Sequence, residues 1–151
     1  MSATQNRAAD VLVQRKMLVV TTETRHQTID LRPQVEETVE SVGAQCGLVL
    51  VHCLHTTCSV VVAELAADEL HMGPLLGKLI PENDSYWHND LRWSDCERGN
   101  AAAHLRASLL GAGVTVPIVE SKLALEPSSP ILLVEWDGPR SRMVEVRIVG
   151  S

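Results

Sequence analysis

The segment 81–111, PENDSYWHNDLRWSDCERGNAAAHLRASLLG, passes from a polar loop into a strongly helical stretch. One histidine, His88, lies in the loop, and another, His104, lies in the helical part. Asn100 stands four residues before His104, so a helix brings both side chains to one face. Loops of this length are uncommon in a domain and are usually either functional or disordered. Because three of the chain's four Tyr and Trp residues fall here, we predict an ordered segment that forms the functional site.

The composition around this segment indicates one domain with an aliphatic core. A chain of 151 residues is most simply one domain, and such a chain buries roughly two-thirds of its unfolded surface. The hydrophobic fraction is 45%, but Phe is absent, so the core is built from Val, Leu, Ile and Ala. The net charge of −6 argues against a nucleic-acid or anionic-membrane partner and leaves room for a local phosphate pocket.

The cysteines and the apolar runs indicate a protein of the cytoplasm. Cys46, Cys53, Cys58 and Cys96 show no C-x-x-C spacing, and the first 15 residues lack the apolar segment of a signal peptide. Reduced thiols are therefore expected. The longest apolar run, 47–54, is far too short to cross a bilayer.

Runs of β-branched and aliphatic residues predict the strands, and apolar residues at helical spacing predict the helices. Strands are expected at 16–22, 26–31, 47–53, 59–63, 114–119, 122–125, 131–136 and 143–149. Helices are expected at 32–43, 66–80 and 101–111. Gly73-Pro74 is expected to break the second helix. Asn100 is expected to cap the third, with Ala101, Leu105 and Leu109 facing the core.

The order of these elements predicts an α+β sandwich with a mainly antiparallel sheet and helices on one side. Residues 1–14 are expected to form an N-terminal arm, and 15–151 a single domain. The polar ETR between the first two strands favours a hairpin, and DGPRSR is expected to join the last two strands as a pair.

Histidines supply the leading candidates for a metal site. His88 and His104 are a plausible pair of zinc ligands, with a third from His55, Glu64, Asp90 or a neighbouring subunit. The alternative is that His88 is a solvated loop residue and His104 a helix histidine with its hydrogen bonds satisfied. His52 and His55 lie three apart on a strand and point to opposite faces, so His52 is expected to be structural.

Other polar side chains close to predicted strand ends suit a phosphate or a catalytic role. The hydroxyls of Thr56 and Thr57 can hold a phosphate oxygen or make a local turn. Glu64 is either a functional carboxylate or a solvated strand end. Arg140 follows Asp-Gly-Pro, a turn signal, and can present its planar fork to a phosphate. Cys58, beside a buried strand, is more often a small apolar filler than a nucleophile.

Three segments together resemble one known family. They are HTTCSVVVAE at 55–64, Y-W-H at 86–88 followed by NAAAHLRASLLGAGVTVPI at 100–118, and EWDGPRSRMVEVRIVG at 135–150. In order and spacing, nearly the whole chain is similar to the YjbQ-like family, also called the secondary thiamine-phosphate synthase enzyme family. The NAAAHLRASLLG block is the most specific part of the resemblance.

The resemblance implies an α+β subunit with a mixed sheet, assembled as a homotrimer, and a pocket near the subunit boundary where histidines hold a divalent metal, Zn or Mg. The implied metal ligands are His88, His104 and His55. The residues implied to bind substrate are His55, Thr56, Thr57, Tyr86, Asn100 and Asp137. Those implied or considered as catalytic are Glu64, His88, Asp90 and Arg140.

The resemblance also implies an activity: joining a pyrimidine diphosphate to a thiazole phosphate with release of pyrophosphate. A transferase of this type acts on a phosphorylated small molecule. One departure concerns the family's G-T-W-Q after its K/R-L-x-L strand, where this chain has EPSSP at 126–130. The change removes a Trp pocket wall and an amide donor. The alternatives are a trimer that binds a metal or small ligand without turnover, and a purely structural role.

Overall fold

The computed structural model describes residues 11–63, 72–93 and 97–151. The eight strands there are β1 (Leu12–Thr21), β2 (Gln27–Asp30), β3 (Cys46–Cys53), β4 (Cys58–Val62), β5 (Gly113–Val119), β6 (Lys122–Leu123), β7 (Ile131–Glu135) and β8 (Ser141–Gly150). The helices are α1 (Arg32–Val42), α2 (Met72–Leu79) and α3 (Ala101–Leu110), with a short 3₁₀ helix at Trp87–Asn89. Because β1 begins at Leu12, residues 12–14 belong to the domain's first strand rather than to an arm.

The strands form two sheets. The larger sheet has the order β1-β8-β3-β5-β6 and curls into a half-barrel, and the smaller has the order β2-β7-β4. Every pairing among the described strands is antiparallel. The α+β class and the mainly antiparallel sheets are thereby confirmed.

Both predicted strand pairs are wrong, because their connections are corners between the two sheets. β1 pairs with β8, with Leu12 opposite Gly150, and β2 pairs with β7. The segment 22–26 therefore carries the chain from the larger sheet to the smaller, and 136–140 carries it back. The loop 54–57 between β3 and β4 makes a third crossing. Polar turn residues accompany a corner as readily as a hairpin, so the local sequence does not distinguish them.

The main core lies between the two sheets. Val144, Val146 and Ile148 of β8 point into it, as their alternation predicts, and α1 adds Val35 and Val39. A second core lies on the smaller sheet, where α2 and α3 pack around Leu132, Val134 and Trp136. The expectation of helices on one side thus fits α2 and α3, whereas α1 contributes to the main core.

Helix α3 presents its alanines to the sheet, which corrects the predicted core face. Ala101 is buried as expected, but Leu105 and Leu109 are 45% and 60% exposed. Ala102, Ala103 and Ala107 are buried in their place, and small side chains of this kind let the helix approach β4 closely.

The ends of the other helices follow local chemistry. Gly43 closes α1 with a φ of +72°, in the left-handed region that glycine adopts without strain. The structure describes α2 from Met72, with Gly73 and Pro74 near this boundary, so the break expected at Gly73-Pro74 is not tested. The rest of the predicted second helix up to residue 71 lies outside the described residues. Among the helices that the structure does describe, none has the length and apolar character needed to span a membrane.

Candidate functional site

Three of the crossings between the sheets, at 22–26, 54–57 and 136–140, meet at a buried ion pair. Arg142 of β8 donates from Nε and Nη2 to the two carboxylate oxygens of Glu135 on β7, at 2.6 and 2.5 Å. The Thr22 hydroxyl, from the first crossing, donates to the same carboxylate at 3.1 Å. Arg142 Nη2 also donates to the hydroxyl of Thr57, in the 54–57 loop, at 2.9 Å. One pair of charges therefore ties together all three corners.

Glu135 stays ionised although it is fully buried. Burial alone raises the pKa of its carboxyl, but hydrogen bonds from Arg142, the Asp137 backbone and Thr22 outweigh burial and hold the pKa below its ordinary value. Thr57 is also buried, and its hydroxyl accepts from Arg142. The geometry thus gives Thr57 a structural contact in place of an open hydroxyl for phosphate.

A second carboxylate, Asp137, connects this ion pair to the polar loop. Its backbone N–H donates to Glu135 at 2.8 Å, and its own side chain is fully buried. Oδ2 of Asp137 accepts from Asn100 Nδ2 at 2.8 Å and Arg98 Nε at 3.1 Å, and lies 3.3 Å from Arg140 Nη2. Burial raises the pKa of Asp137, but the contacts from Asn100, Arg98 and Arg140 outweigh it and leave the pKa below its ordinary value.

The same Asn100 fixes the orientation of His88. Because the Asp137 carboxylate only accepts, the Asn100 amide turns its NH₂ group to Asp137 and its oxygen to His88. His88 Nε2 lies 3.1 Å from Asn100 Oδ1 and must therefore carry the proton that it donates. The Nδ1 atom of neutral His88 is left with a free lone pair for a metal or a substrate proton.

His104 lies against His88, as the spacing in the sequence suggested. The ring centroids are 4.9 Å apart, with the planes nearly perpendicular at 78°. Burial and the neighbouring His88 lower the pKa of His104, while a hydrogen bond to the Thr56 backbone and the charge of Asp137 act in the opposite direction. Since this contact favours the protonated ring, the Thr56 backbone carbonyl lies beside the His104 imidazole. A neutral His104 keeps its other nitrogen available as a ligand.

The two histidines border a shallow hollow of about 320 Å³. Its lining is Tyr86, Trp87, His88, Ala101, His104 and Leu105. The Tyr86 hydroxyl donates to the Pro81 carbonyl at 2.8 Å, which secures the start of the polar loop.

Asn89 supplies the cap of α3 by accepting from the Ala101 N–H at 2.9 Å, whereas Asn100 makes no capping bond with its own side chain. Asn100 thus occupies the N-cap position as expected, but its side chain makes no capping bond because its amide is committed to the site.

Not every predicted residue joins this group. His55 Nε2 accepts from the Met143 N–H at 3.1 Å, and burial and the charge of Arg142 lower the pKa of His55. Asp90 is paired with Arg92, whose Nε lies 2.9 and 3.0 Å from its two oxygens. Thr56 is exposed, and Glu64 lies outside the described residues. Within the described ranges, no three His, Cys, Asp or Glu side chains are grouped to hold a metal.

Four residues of the network were not predicted from the sequence as parts of the site: Thr22, Arg98, Glu135 and Arg142. The available signal was Glu135 itself, a charged residue at the end of the strongly apolar run ILLVE. A buried charge requires a buried partner, which points to a nearby Arg.

The altered segment 126–130 is fixed by Arg32, whose Nη1 donates to three carbonyls between 126 and 129.

Comparison with known proteins gives concordant matches. A family model described as "UPF0047 protein YjbQ-like" matches residues 16–151. A UPF0047 protein of Archaeoglobus fulgidus is 42% identical over 134 residues, covering 86% of this chain and 97% of the relative. A solved structure of a protein of unknown function from Sulfolobus solfataricus P2 has a TM-score of 0.85 at 31% identity, covering 93% and 99%. A hypothetical protein from Aeropyrum pernix K1 gives 0.82 at 32% identity, covering 91% and 99%.

Proposed function

The chain belongs to the YjbQ-like UPF0047 family, and on that premise we propose that it is a metal-assisted enzyme acting on a phosphorylated small molecule. The observation that carries this proposal is the pair of histidines at 4.9 Å, each with one ring nitrogen engaged by an oxygen. The lead candidate is a transferase of the thiamine-phosphate-synthase type.

The chemistry of the two imidazoles supports a divalent metal. A histidine that binds a metal usually donates its other N–H to a carbonyl or carboxylate, which fixes the tautomer and the ring orientation. His88 does so toward Asn100, and the Thr56 backbone carbonyl lies beside His104. Two neutral imidazoles favour zinc over magnesium, which prefers oxygen ligands. The third ligand would come from His55, from Glu64 or from another copy of the chain.

In the proposed reaction a ring nitrogen of the thiazole phosphate supplies the electron pair of a new C–N bond. The C–O bond to the diphosphate of the pyrimidine breaks, and pyrophosphate leaves with that electron pair. A bound metal would supply Lewis-acid stabilisation of the negative charge on the leaving group. Arg140 would hold phosphate oxygens, and Glu64 or Asp90 would act as a base or orient a ligand.

The larger sheet offers a surface for the proposed homotrimer. Val13, Val149, Leu48 and Pro117 are register partners across four neighbouring strands, so they lie in one row on the same face. All four are exposed. Contiguous exposed apolar surface of this kind commonly marks a protein–protein interface. We propose that the trimer forms through this face.

Elemental analysis of the untagged protein, prepared without chelators and scaled to subunit concentration, tests the metal site. We expect a near-stoichiometric divalent metal that is lost in His104→Ala, while His52→Ala keeps it. Size-exclusion chromatography with light scattering checks that both variants remain folded trimers. Unchanged metal content in His104→Ala, or no metal after zinc and magnesium are added back, would reject the assignment.

A non-catalytic metal- or ligand-binding trimer is the second candidate, favoured by EPSSP at 126–130 in place of the family's G-T-W-Q. The two candidates differ in turnover. Mass spectrometry of reactions with a pyrimidine diphosphate and a thiazole phosphate would detect the joined product. Product that depends on His88 supports the enzyme, whereas ligand binding without product supports the alternative.

A further inference from the structure

We propose that Arg98 and Arg140 together form a binding site for a phosphate or diphosphate group beside the histidine hollow. The ligand class rests on the proposed function, whereas the positive site itself rests on the geometry of these two side chains. Arg98 comes from the polar loop and Arg140 from the crossing between β7 and β8. Neither the resemblance nor the comparisons assign a role to Arg98.

Both guanidinium groups are held by one carboxylate oxygen. Asp137 Oδ2 lies 3.1 Å from Arg98 Nε and 3.3 Å from Arg140 Nη2. Arg98 Nη2 also donates to the Asp137 backbone carbonyl at 3.2 Å. Since Asp137 is itself fixed by Asn100 and Glu135, the two forks are oriented before any ligand arrives. Such preorganisation lowers the side-chain entropy that binding costs.

The charges at this place do not cancel. Asp137 contributes one negative charge against the two positive charges of Arg98 and Arg140. Glu135 does not supply the missing negative charge, because its carboxylate is already paired with Arg142. Among the described side chains that contact Asp137, one positive charge is therefore left over, in a protein whose net charge is −6. A local positive site attracts anions even when the protein as a whole is acidic.

The two arginines remain open to solvent on the side away from Asp137. Their side chains are 46% and 39% exposed, whereas the Asp137 side chain is fully buried. In the part of the chain that the structure describes, the bonds of Arg98 use Nε and Nη2, and Arg140 contacts Asp137 through Nη2. The remaining N–H groups of two planar forks suit the several oxygens of a phosphate or diphosphate.

The site lies next to the proposed chemistry. Asp137 connects both arginines to Asn100, and Asn100 contacts His88. A diphosphate held by the arginines would thus lie within a few hydrogen bonds of the two histidines. We infer that Arg98 and Arg140 hold the phosphate end of the substrate while its reacting end occupies the hollow.

Calorimetric titration of the full chain with inorganic pyrophosphate, in the presence of a chelator, tests the site without metal. We expect saturable binding that weakens as salt increases and that sulfate competes more strongly than acetate does. Loss of a charged hydrogen bond costs about 1.5–3 kcal/mol, so Arg98→Gln should weaken binding by roughly ten- to hundred-fold. Arg140→Gln should weaken it similarly.

Arg92→Gln is the matched control, because Arg92 lies in the same loop but pairs with Asp90. It should bind pyrophosphate like the unchanged protein. Arg98→Lys keeps the charge but loses the planar guanidinium, so its pyrophosphate affinity should lie between those of Arg98→Gln and the unchanged protein. This variant also controls for misfolding of Arg98→Gln. Equal pyrophosphate affinity in Arg98→Gln, Arg140→Gln and the unchanged protein, or no saturable binding, would overturn the proposal.

The same titration separates this proposal from the metal site. His104→Ala should lose its metal and still bind pyrophosphate in chelator. If His104→Ala keeps its metal while Arg98→Gln loses pyrophosphate, the anion site stands and the proposed metal site fails. If pyrophosphate binding is lost in His104→Ala and unchanged in Arg98→Gln, the anion site is overturned.

Discussion

Replacing Arg142 with Gln tests how strongly the buried ion pair holds the two sheets together. The substitution removes both donors to the Glu135 carboxylate and the bond to the Thr57 hydroxyl. Glu135 is fully buried, so its charge has no access to water once the guanidinium is gone. Breaking a buried pair from one side costs about 3–5 kcal/mol, because an uncompensated charge is left behind.

A loss of this size is easily measured. For a chain of about 150 residues, 1 kcal/mol shifts Tm by about 2–4 °C, so Arg142→Gln should lower Tm by roughly 6–20 °C. Urea unfolding at a fixed protein concentration gives the free energy directly and keeps any oligomer equilibrium constant. Arg147→Gln, on the same strand, is the matched control. Its arginine is 47% exposed, so it should cost no more than about 1 kcal/mol.

The pH dependence gives a second check with a definite sign. In the unchanged protein the pKa of Glu135 is depressed, so its stabilisation is complete above the carboxyl's unfolded pKa and is lost as pH falls through the folded pKa. Without Arg142, burial should raise the pKa of Glu135, and protonation then stabilises the variant as pH falls. The difference in free energy of unfolding between the unchanged protein and Arg142→Gln should therefore narrow as the pH falls from about 7 to about 4.

A double substitution, Glu135→Gln with Arg142→Gln, removes both charges. It should cost clearly less than the sum of the two single substitutions, because neither variant side chain is an unpaired ion. The reasoning is refuted if Arg142→Gln costs no more than Arg147→Gln at neutral pH. A difference in free energy of unfolding between the unchanged protein and Arg142→Gln that stays constant as the pH falls would also refute it.

Three further predictions concern single positions. Gly138→Ala should destabilise the fold by about 1–3 kcal/mol or more in urea unfolding, because its Cβ would clash with the backbone oxygen of Thr24. Gly77→Ala, where nothing lies within 4 Å of the added Cβ, should be neutral or stabilising by up to about 1 kcal/mol. His104 should show an NMR titration midpoint below that of an ordinary histidine, and an ordinary or higher midpoint would contradict the burial argument. Long-range ¹H–¹⁵N spectra above the titration range should show His88 protonated at Nε2, and Asn100→Leu should abolish that tautomer preference. A mixed tautomer in the unchanged protein would contradict the orientation given to the amide.

The sequence was sufficient for the elements and insufficient for their pairing. Continuous aliphatic runs such as those of β3 and β7 predict strands because few other structures bury them. The choice of partner depends on which sheet each strand joins, and that is decided by the packing of residues more than a hundred positions apart. For α3 the sequence offers an alanine face and a leucine face. The alanines face the sheet because close contact with β4 requires small side chains, and helical periodicity alone does not predict this choice.

The site was partly predictable for a similar reason. His88, Asn100 and His104 fall in one segment, so their proximity follows from loop and helix spacing. Asp137 was reached through the family resemblance, and Arg140 also through the turn signal that precedes it. The Glu135–Arg142 pair was not predicted, because a charged residue within a strand more often lies on the solvent face. Only the geometry of the crossings turns both side chains inward.

The strand order also determines when the protein can fold during its synthesis. β7 is the central strand of the smaller sheet, and β8 lies inside the larger one between β1 and β3. Both follow the other strands in the chain, so neither sheet is complete until residues 131–150 have been made. β1 must wait for β8 before it can pair, which makes folding slow. A nascent chain would thus depend on protection of its exposed strand edges until β8 emerges.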